Sequence, residues 1–195
     1  HCTISSMDEH QVVVSVNSSV PTISEPSVSV TLYQRLPKSD KMDSVVQKAV
    51  EMGVTRIVPM LTQRCVSRPD QKSAQKKVER WQKISVEAAK QCGRGILPPV
   101  SPLTDFSAAL RQSASESTVL FFYEGGGQSL QQCIDPSCKA YSIFIGPEGG
   151  FSEEEVQFAL DLGAKKATLG PRILRTETAP VAALAAIMLT TGNMT

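Results

Sequence analysis

Histidine is almost missing from this chain: only His1 and His10 occur, and no CxxC pair accompanies them. The five cysteines (Cys2, Cys65, Cys92, Cys133 and Cys138) are odd in number. A structural zinc site or a disulfide framework is therefore not expected, no metal is assigned, and a reducing cytosol is the expected compartment. No GxxxxGK[ST] run occurs and no GxGxxG follows a strand pattern. Those two absences argue against a P-loop and against a dinucleotide fingerprint. Net charge is also scarce, 20 Lys and Arg standing against 19 Asp and Glu, so the total gives no sign of a nucleic-acid partner. No secretory leader is read at the start. The longest charge-free run, Thr178 to Thr195, is 18 residues interrupted by Pro180, Gly192 and Asn193. It reads as a buried helix and not as a membrane span, and no membrane partner is expected.

What is present is ordinary globular material, 195 residues that are 41% hydrophobic and 20% charged, enough for one or two domains with a sizeable core. The charge is unevenly spread. From Arg64 to Arg94 nine bases face three acids, whereas Gly146 to Asp161 carries five acids and no base. Residues 1–26 differ from the rest, with a strand pattern at Gln11–Val16 and a Ser/Thr-rich linker bracketed by Pro21 and Pro26. Thereafter strands and helices alternate. Strands are predicted at Val28–Tyr33, Arg56–Leu61, Thr118–Tyr123 and Tyr141–Ile145. Helices are predicted at Asp40–Met52, Gln71–Cys92, Ser152–Leu162 and Pro180–Thr191, with Gly53 and Gly93 as stops. The alternation implies an α/β domain with a mostly parallel sheet, whose ligands bind beyond the carboxyl ends of its strands.

Two Gly-Pro turns, Gly146-Pro147 and Gly170-Pro171, lie at such strand ends, as does the run from Glu124 to Gly127. In the first, Glu148 would meet a phosphate with a carboxylate, so a neutral or cationic ligand suits the loop better. An ordinary turn also fits, since Ser152 and Glu155 form a capping box and three glutamates suit the helix dipole. The second loop sets Arg172, Arg175, Glu177, Thr176 and Thr178 beside Ile173 and Leu174, ahead of Pro180 as a helix starter. The following helix is apolar on every side and is expected to be buried all round, against a core or a subunit interface.

Four stretches carry a resemblance to a known family: KMDSVVQKAVEMG (41–53), WQKISVEAAKQCGR (81–94), IGPEGG (145–150) and LGPRILRTET (169–178). In this order, across residues 27–195, they resemble the RsmE family of the SPOUT superfamily. The resemblance implies S-adenosylmethionine-dependent methylation of a uridine at N3 in small-subunit (16S) ribosomal RNA, presented free or in an assembled particle. It implies a trefoil-knotted methyltransferase domain over 27–195, a homodimer built partly on the terminal helix, and a PUA-like β-barrel of which 1–26 is the final strand and linker. Phe122-Tyr123-Glu124 stands where many relatives have a His-Pro pair.

By the same resemblance the cofactor is held by Phe122, Tyr123 and Glu124, by Ile145, Gly146, Glu148, Gly149 and Gly150, and by Leu169, Gly170, Ile173, Leu174, Thr178 and Ala179. A sulfonium is positive and carries no phosphate, which agrees with Glu148 in the glycine loop. Uracil N3 must lose its proton before attack, and a nearby cation would stabilise the anion. Arg175 is the first candidate and Arg94 the second. Arg172 is expected to position the loop and RNA. Glu177 is a candidate base or else the ion-pair partner of Arg172 or Arg175. Lys83 and Lys90, with Arg94, are candidate RNA contacts on or after the basic helix, beside a plain solvated reading of its outer lysines. Trp81 reads as core. The rival functions are a non-catalytic RNA-binding or assembly module of the same fold and a nucleotide enzyme with a variant loop.

Overall fold

The computed structural model describes residues 1–37, 40–65, 68–146 and 150–194. A two-stranded antiparallel hairpin, β1 (Cys2–Met7) and β2 (Val12–Val16), comes first and is exposed along its length. β1 was not expected from the sequence: its Ser and Thr residues break any apolar alternation.

The body is a seven-stranded sheet in which every pairing is parallel. Its strands are β3 (Ser29–Arg35), β4 (Arg56–Leu61), β5 (Thr104–Asp105), β6 (Thr118–Phe122), β7 (Gln128–Ser129), β8 (Ala140–Ile145) and β9 (Lys165–Thr168), in the spatial order β5-β4-β3-β8-β6-β9-β7. Period-two alternation divides the core between two faces. Val30 and Leu32 of β3, Leu120 of β6 and Ile143 of β8 join one cluster, covered by α1 (Lys41–Glu51), α2 (Gln71–Gln91), α4 (Leu130–Cys133) and α6 (Ala179–Thr190). Tyr33, Phe121 and Phe144 turn to the other face, under α3 (Phe106–Glu116) and α5 (Glu153–Asp161). There Tyr33 stacks on Phe144 with centroids 4.3 Å apart, and Phe121 meets Phe151 at the same separation.

The expected helices and strands form within one or two residues of their predicted ends. α1 buries Met42, Val45, Val46, Ala49 and Val50 on its predicted face. Trp81 is 4% exposed and donates its indole N–H to Asp43, confirming its place in the core. The largest displacement is at β3, which runs two residues past Tyr33 because Gln34 and Arg35 still pair with β4. α6 departs from the expectation of burial on every side. Pro180, Ala183, Leu184, Ile187 and Met188 are buried, while Val181, Ala182, Ala185 and Ala186 are half-buried and Leu189 is exposed. The buried face of α6 meets α1, β3, β8 and α4, and its opposite stripe is only partly covered by the described residues. Among the described residues no helix is long and apolar enough to cross a membrane.

The capping box forms as expected: Ser152 Oγ accepts from the Glu155 amide, and the Glu155 carboxylate accepts from the Ser152 amide. The other Glu155 oxygen accepts from the Gln63 amide at 2.8 Å and so ties α5 to the loop after β4. Ser152→Ala is expected to lower stability by about 1 kcal/mol, read as a lower denaturant midpoint at unchanged slope.

Candidate functional site: a crevice closed by three loops

β8, β6 and β9 are neighbours in the sheet, so the loops leaving their carboxyl ends are neighbours too. They enclose a cavity of about 280 Å³. Phe122, Tyr123 and Glu124 line it from β6, and Ile145, Gly146 and Gly150 from β8. Leu169, Gly170, Ile173 and Leu174 line it from β9, and Ala179 closes it at the start of α6. Twelve of the fourteen cofactor candidates fall on described residues and eleven of these reach the wall. Thr178 does not line the cavity: it is the N-cap residue of α6. Glu148 and Gly149 lie outside the described residues.

Backbone conformation explains the glycines. Gly170 has φ +101° and Gly150 φ +66°, both costly for a residue with a side chain. A Cβ on Gly150 would also lie 2.7 Å from Glu124 Oε1, the mobile end of a side chain that can turn away, so it is the positive φ that calls for glycine there. Tyr123 is held from below by the Lys166 ammonium, 5.1 Å from its ring centre. The walls join apolar side chains to exposed backbone groups, a surface for a flat, mostly uncharged ring system.

Several wall residues were missed by sequence reasoning: Phe151, Ala167, Thr168 and Thr176. Phe151 directly follows Gly150 and is 2% exposed, its ring serving core and cavity together. Thr176, 5% exposed, donates its hydroxyl to the Gly146 carbonyl at 3.2 Å and so links the two Gly-Pro loops. A threonine inside a charged loop gives no periodic signal, and only its place in the motif singled it out.

Residues 24–188 match the RNA methyltransferase domain family. Ribosomal RNA small subunit methyltransferase E of Bacillus subtilis is 37% identical over 170 residues, covering 84% of this chain and 66% of that protein. The same enzyme of Aquifex aeolicus is 35% identical over 164 residues, covering 84% and 69%. This chain belongs to the ribosomal RNA small subunit methyltransferase E family. It spans about two thirds of the length of the curated relatives it matches. Among solved structures, the family member from Neisseria gonorrhoeae bound to S-adenosyl methionine superposes with a TM-score of 0.84 at 37% identity, covering 96% of this chain and 77% of the other. A Legionella pneumophila methyltransferase in complex with S-adenosylmethionine gives 0.86 at 30% identity, with the same coverages.

Within this family member, the candidate catalytic residues do not all gather at the cavity. Arg175 and Arg172 line it and are exposed. Arg94 does not. Its side chain is 3% exposed, ion-paired to Glu25 at 2.6 Å, and it donates to the Val50 and Val54 carbonyls. Glu25 also accepts from the Gly95 and Ile96 amides, so the pair bolts the linker after the hairpin to the end of α2. Arg94 is thus engaged in an ion pair with a residue 69 positions away, a partner that local reading of the sequence does not show. Glu177 pairs with neither expected arginine but with Lys41 at the start of α1, 3.4 Å away. Lys83 and Lys90 are exposed on α2, away from the cavity wall, with Lys90 paired to Glu87. The structure therefore brings the three predicted loops, Arg172 and Arg175 to one cavity and leaves Arg94, Lys83 and Lys90 away from its wall.

Proposed function

We propose that this chain binds S-adenosylmethionine in the three-loop cavity and methylates N3 of a uridine in 16S ribosomal RNA, as a homodimer joined partly through α6. The observation that carries the reading is the convergence of both Gly-Pro loops and the β6 loop on one cavity with apolar walls and backbone polar groups. The names of the relatives, as small-subunit ribosomal RNA methyltransferases, and the cofactor in the two solved neighbours support it. The residues present suit the cofactor: Ile145, Leu169 and Leu174 offer apolar walls to an adenine ring, and Glu124 offers negative charge near a cationic ligand. When bound, S-adenosylmethionine supplies an electrophilic methyl group.

The chain's own residues do the remaining work. Arg175, at the cavity wall, stabilises the anion left when uracil N3 gives up its proton to solvent water. Arg172 orients the RNA from the rim, and Ile173, which is 82% exposed, offers a face for the target base. Lys83 and Lys90 contact phosphates and set register without reading sequence. Glu177 holds Lys41 and so anchors the arginine loop to α1. The open stripe of α6, ending in exposed Leu189, is the surface a second copy covers. We assign the segment 170–178 to a trefoil knot. In support, it leaves β9 and returns across β8 to β3, where Thr176 meets Gly146 and Gln34. The hairpin is taken as the end of a PUA-like barrel, 1–26, joined to a methyltransferase domain at 27–195.

Calorimetric titration with S-adenosylmethionine, with NADH as control, tests the cavity. Saturable binding of the methyl donor alone is expected. Transfer is then followed on 16S RNA and on small-subunit particles, with the product mapped by reverse-transcription stops, since an N3 methyl blocks the pairing edge. Absent binding sinks the cavity assignment. Methylation at another atom sinks the N3 assignment, and RNA binding with no cofactor affinity selects the non-catalytic module.

A further inference from the structure

We infer that Gln34 is a positioning residue for the cofactor cavity, setting the separation of its two Gly-Pro loops through Thr176. The inference rests on the S-adenosylmethionine reading above for its functional meaning, although the strut itself stands without it.

Gln34 sits near the carboxyl end of β3 and is completely buried. Its backbone is fixed on both sides, opposite Pro59 of β4 and Ile145 of β8, and Ile145 is itself a wall of the cavity. Both amide hydrogens of the side chain are used. Nε2 donates to the Arg35 carbonyl at 3.0 Å and to Thr176 Oγ1 at 3.1 Å. Because the Thr176 oxygen accepts from Gln34, its own hydrogen is directed elsewhere, and it goes to the Gly146 carbonyl. The order of donors thus runs one way, from the rigid strand to the β9 loop and on to the β8 loop. Neither loop belongs to an element that holds the other, so a side chain from the middle of the sheet is well placed to fix their spacing.

The other end of the amide shows what the residue is for. Gln34 Oε1 is buried with no hydrogen-bond partner among the described residues. A buried acceptor left unpaired costs stability, and an unbranched apolar side chain of the same length would avoid that cost. An amide kept under those conditions is kept for its donor, and the donor is spent on the cavity loop. Removing the amide relieves that cost but leaves the Arg35 carbonyl and the Thr176 oxygen each one donor short, so stability should change little while ligand binding falls, a separation that a core-packing role would not produce.

Gln34→Met keeps the length and removes the donor. Its melting temperature is expected to stay close to that of the parent, while Kd for S-adenosylmethionine rises about tenfold. In the ligand-free chain, exchange of the Thr178 and Ala179 amides, both bonded to the Arg175 carbonyl, is expected to quicken. Thr176→Val should match it, Thr176→Ser should keep parental affinity, and the double variant should be no weaker than the worse single one, because one chain of bonds is cut. A melting temperature that falls in step with affinity, or additive losses in the double variant, would overturn the inference. So would unchanged exchange in Gln34→Met, whatever the cofactor does. If exchange quickens and the parent chain binds no S-adenosylmethionine, the strut stands and the proposed function falls.

Discussion

Arg175→Ala is expected to reduce the methylation rate at saturating RNA about a hundredfold or more, the scale seen when one preorganised donor to a developing anion is removed. The affinity for S-adenosylmethionine should change little, because the cavity's apolar walls and backbone groups remain. Arg175 lines the cavity and is exposed, and its guanidinium forms no ion pair with the described acids, so its charge is not already committed. Arg175→Lys should restore only part of the rate, since a point charge replaces a planar fork. Single-turnover kinetics with cofactor and RNA both saturating read the step directly, and an unchanged rate removes Arg175 from the chemistry.

Arg94→Ala should instead cost stability, about 3 kcal/mol or more, with turnover per folded molecule retained. The Glu25 carboxylate would be left without its ion-pair partner, 14% exposed, and the Val50 and Val54 carbonyls would lose a donor. Glu25 also gives the pair a pH signature. Burial pushes its carboxyl up, but the Arg94 hydrogen bond and charge and the Ile96 and Gly95 amides pull it down further, to a net value below 4.5. A carboxyl whose folded pKa is depressed stabilises the fold above its unfolded pKa and loses that contribution as pH falls through the lower, folded value. The parent chain should therefore lose stability below about pH 4.5 more steeply than Glu25→Gln, measured by denaturant titration across pH. Equal acid limbs in the two proteins would show that the pair contributes nothing.

The contrast between Arg175 and Arg94 shows where the sequence is legible. Strands and helices with a strong period were read closely: Arg56–Leu61 is β4 as expected, and α2 begins at the predicted Gln71 and ends ahead of Gly93. α3 was missed because two of its eleven residues are apolar beyond alanine and the other nine are three serines, three alanines and Arg, Gln and Glu, although Phe106, Ala109 and Leu110 do face the core. β5 and β7 have two residues each, too few for any period. The cavity loops were legible because glycines at positive φ and a charged motif mark strand ends. Gln34 and Glu25 were not, since each acts on a partner 142 or 69 positions away, and a single chain of letters does not show who faces whom.

The wall of the cavity is drawn entirely from residues 122–179, and its final piece is the first turn of α6. A ribosome delivers a chain from its amino end, so β3, β4, β6 and β8 have all been made before the second arginine loop exists. Until Ala179 has cleared the exit tunnel, the nascent chain holds most of its sheet and no chamber. A chain cut between β9 and α6 would lack both the Ala179 wall and the Ala183, Leu184, Ile187 and Met188 side chains that fill the core beneath it, so chamber and core are finished by the same helix.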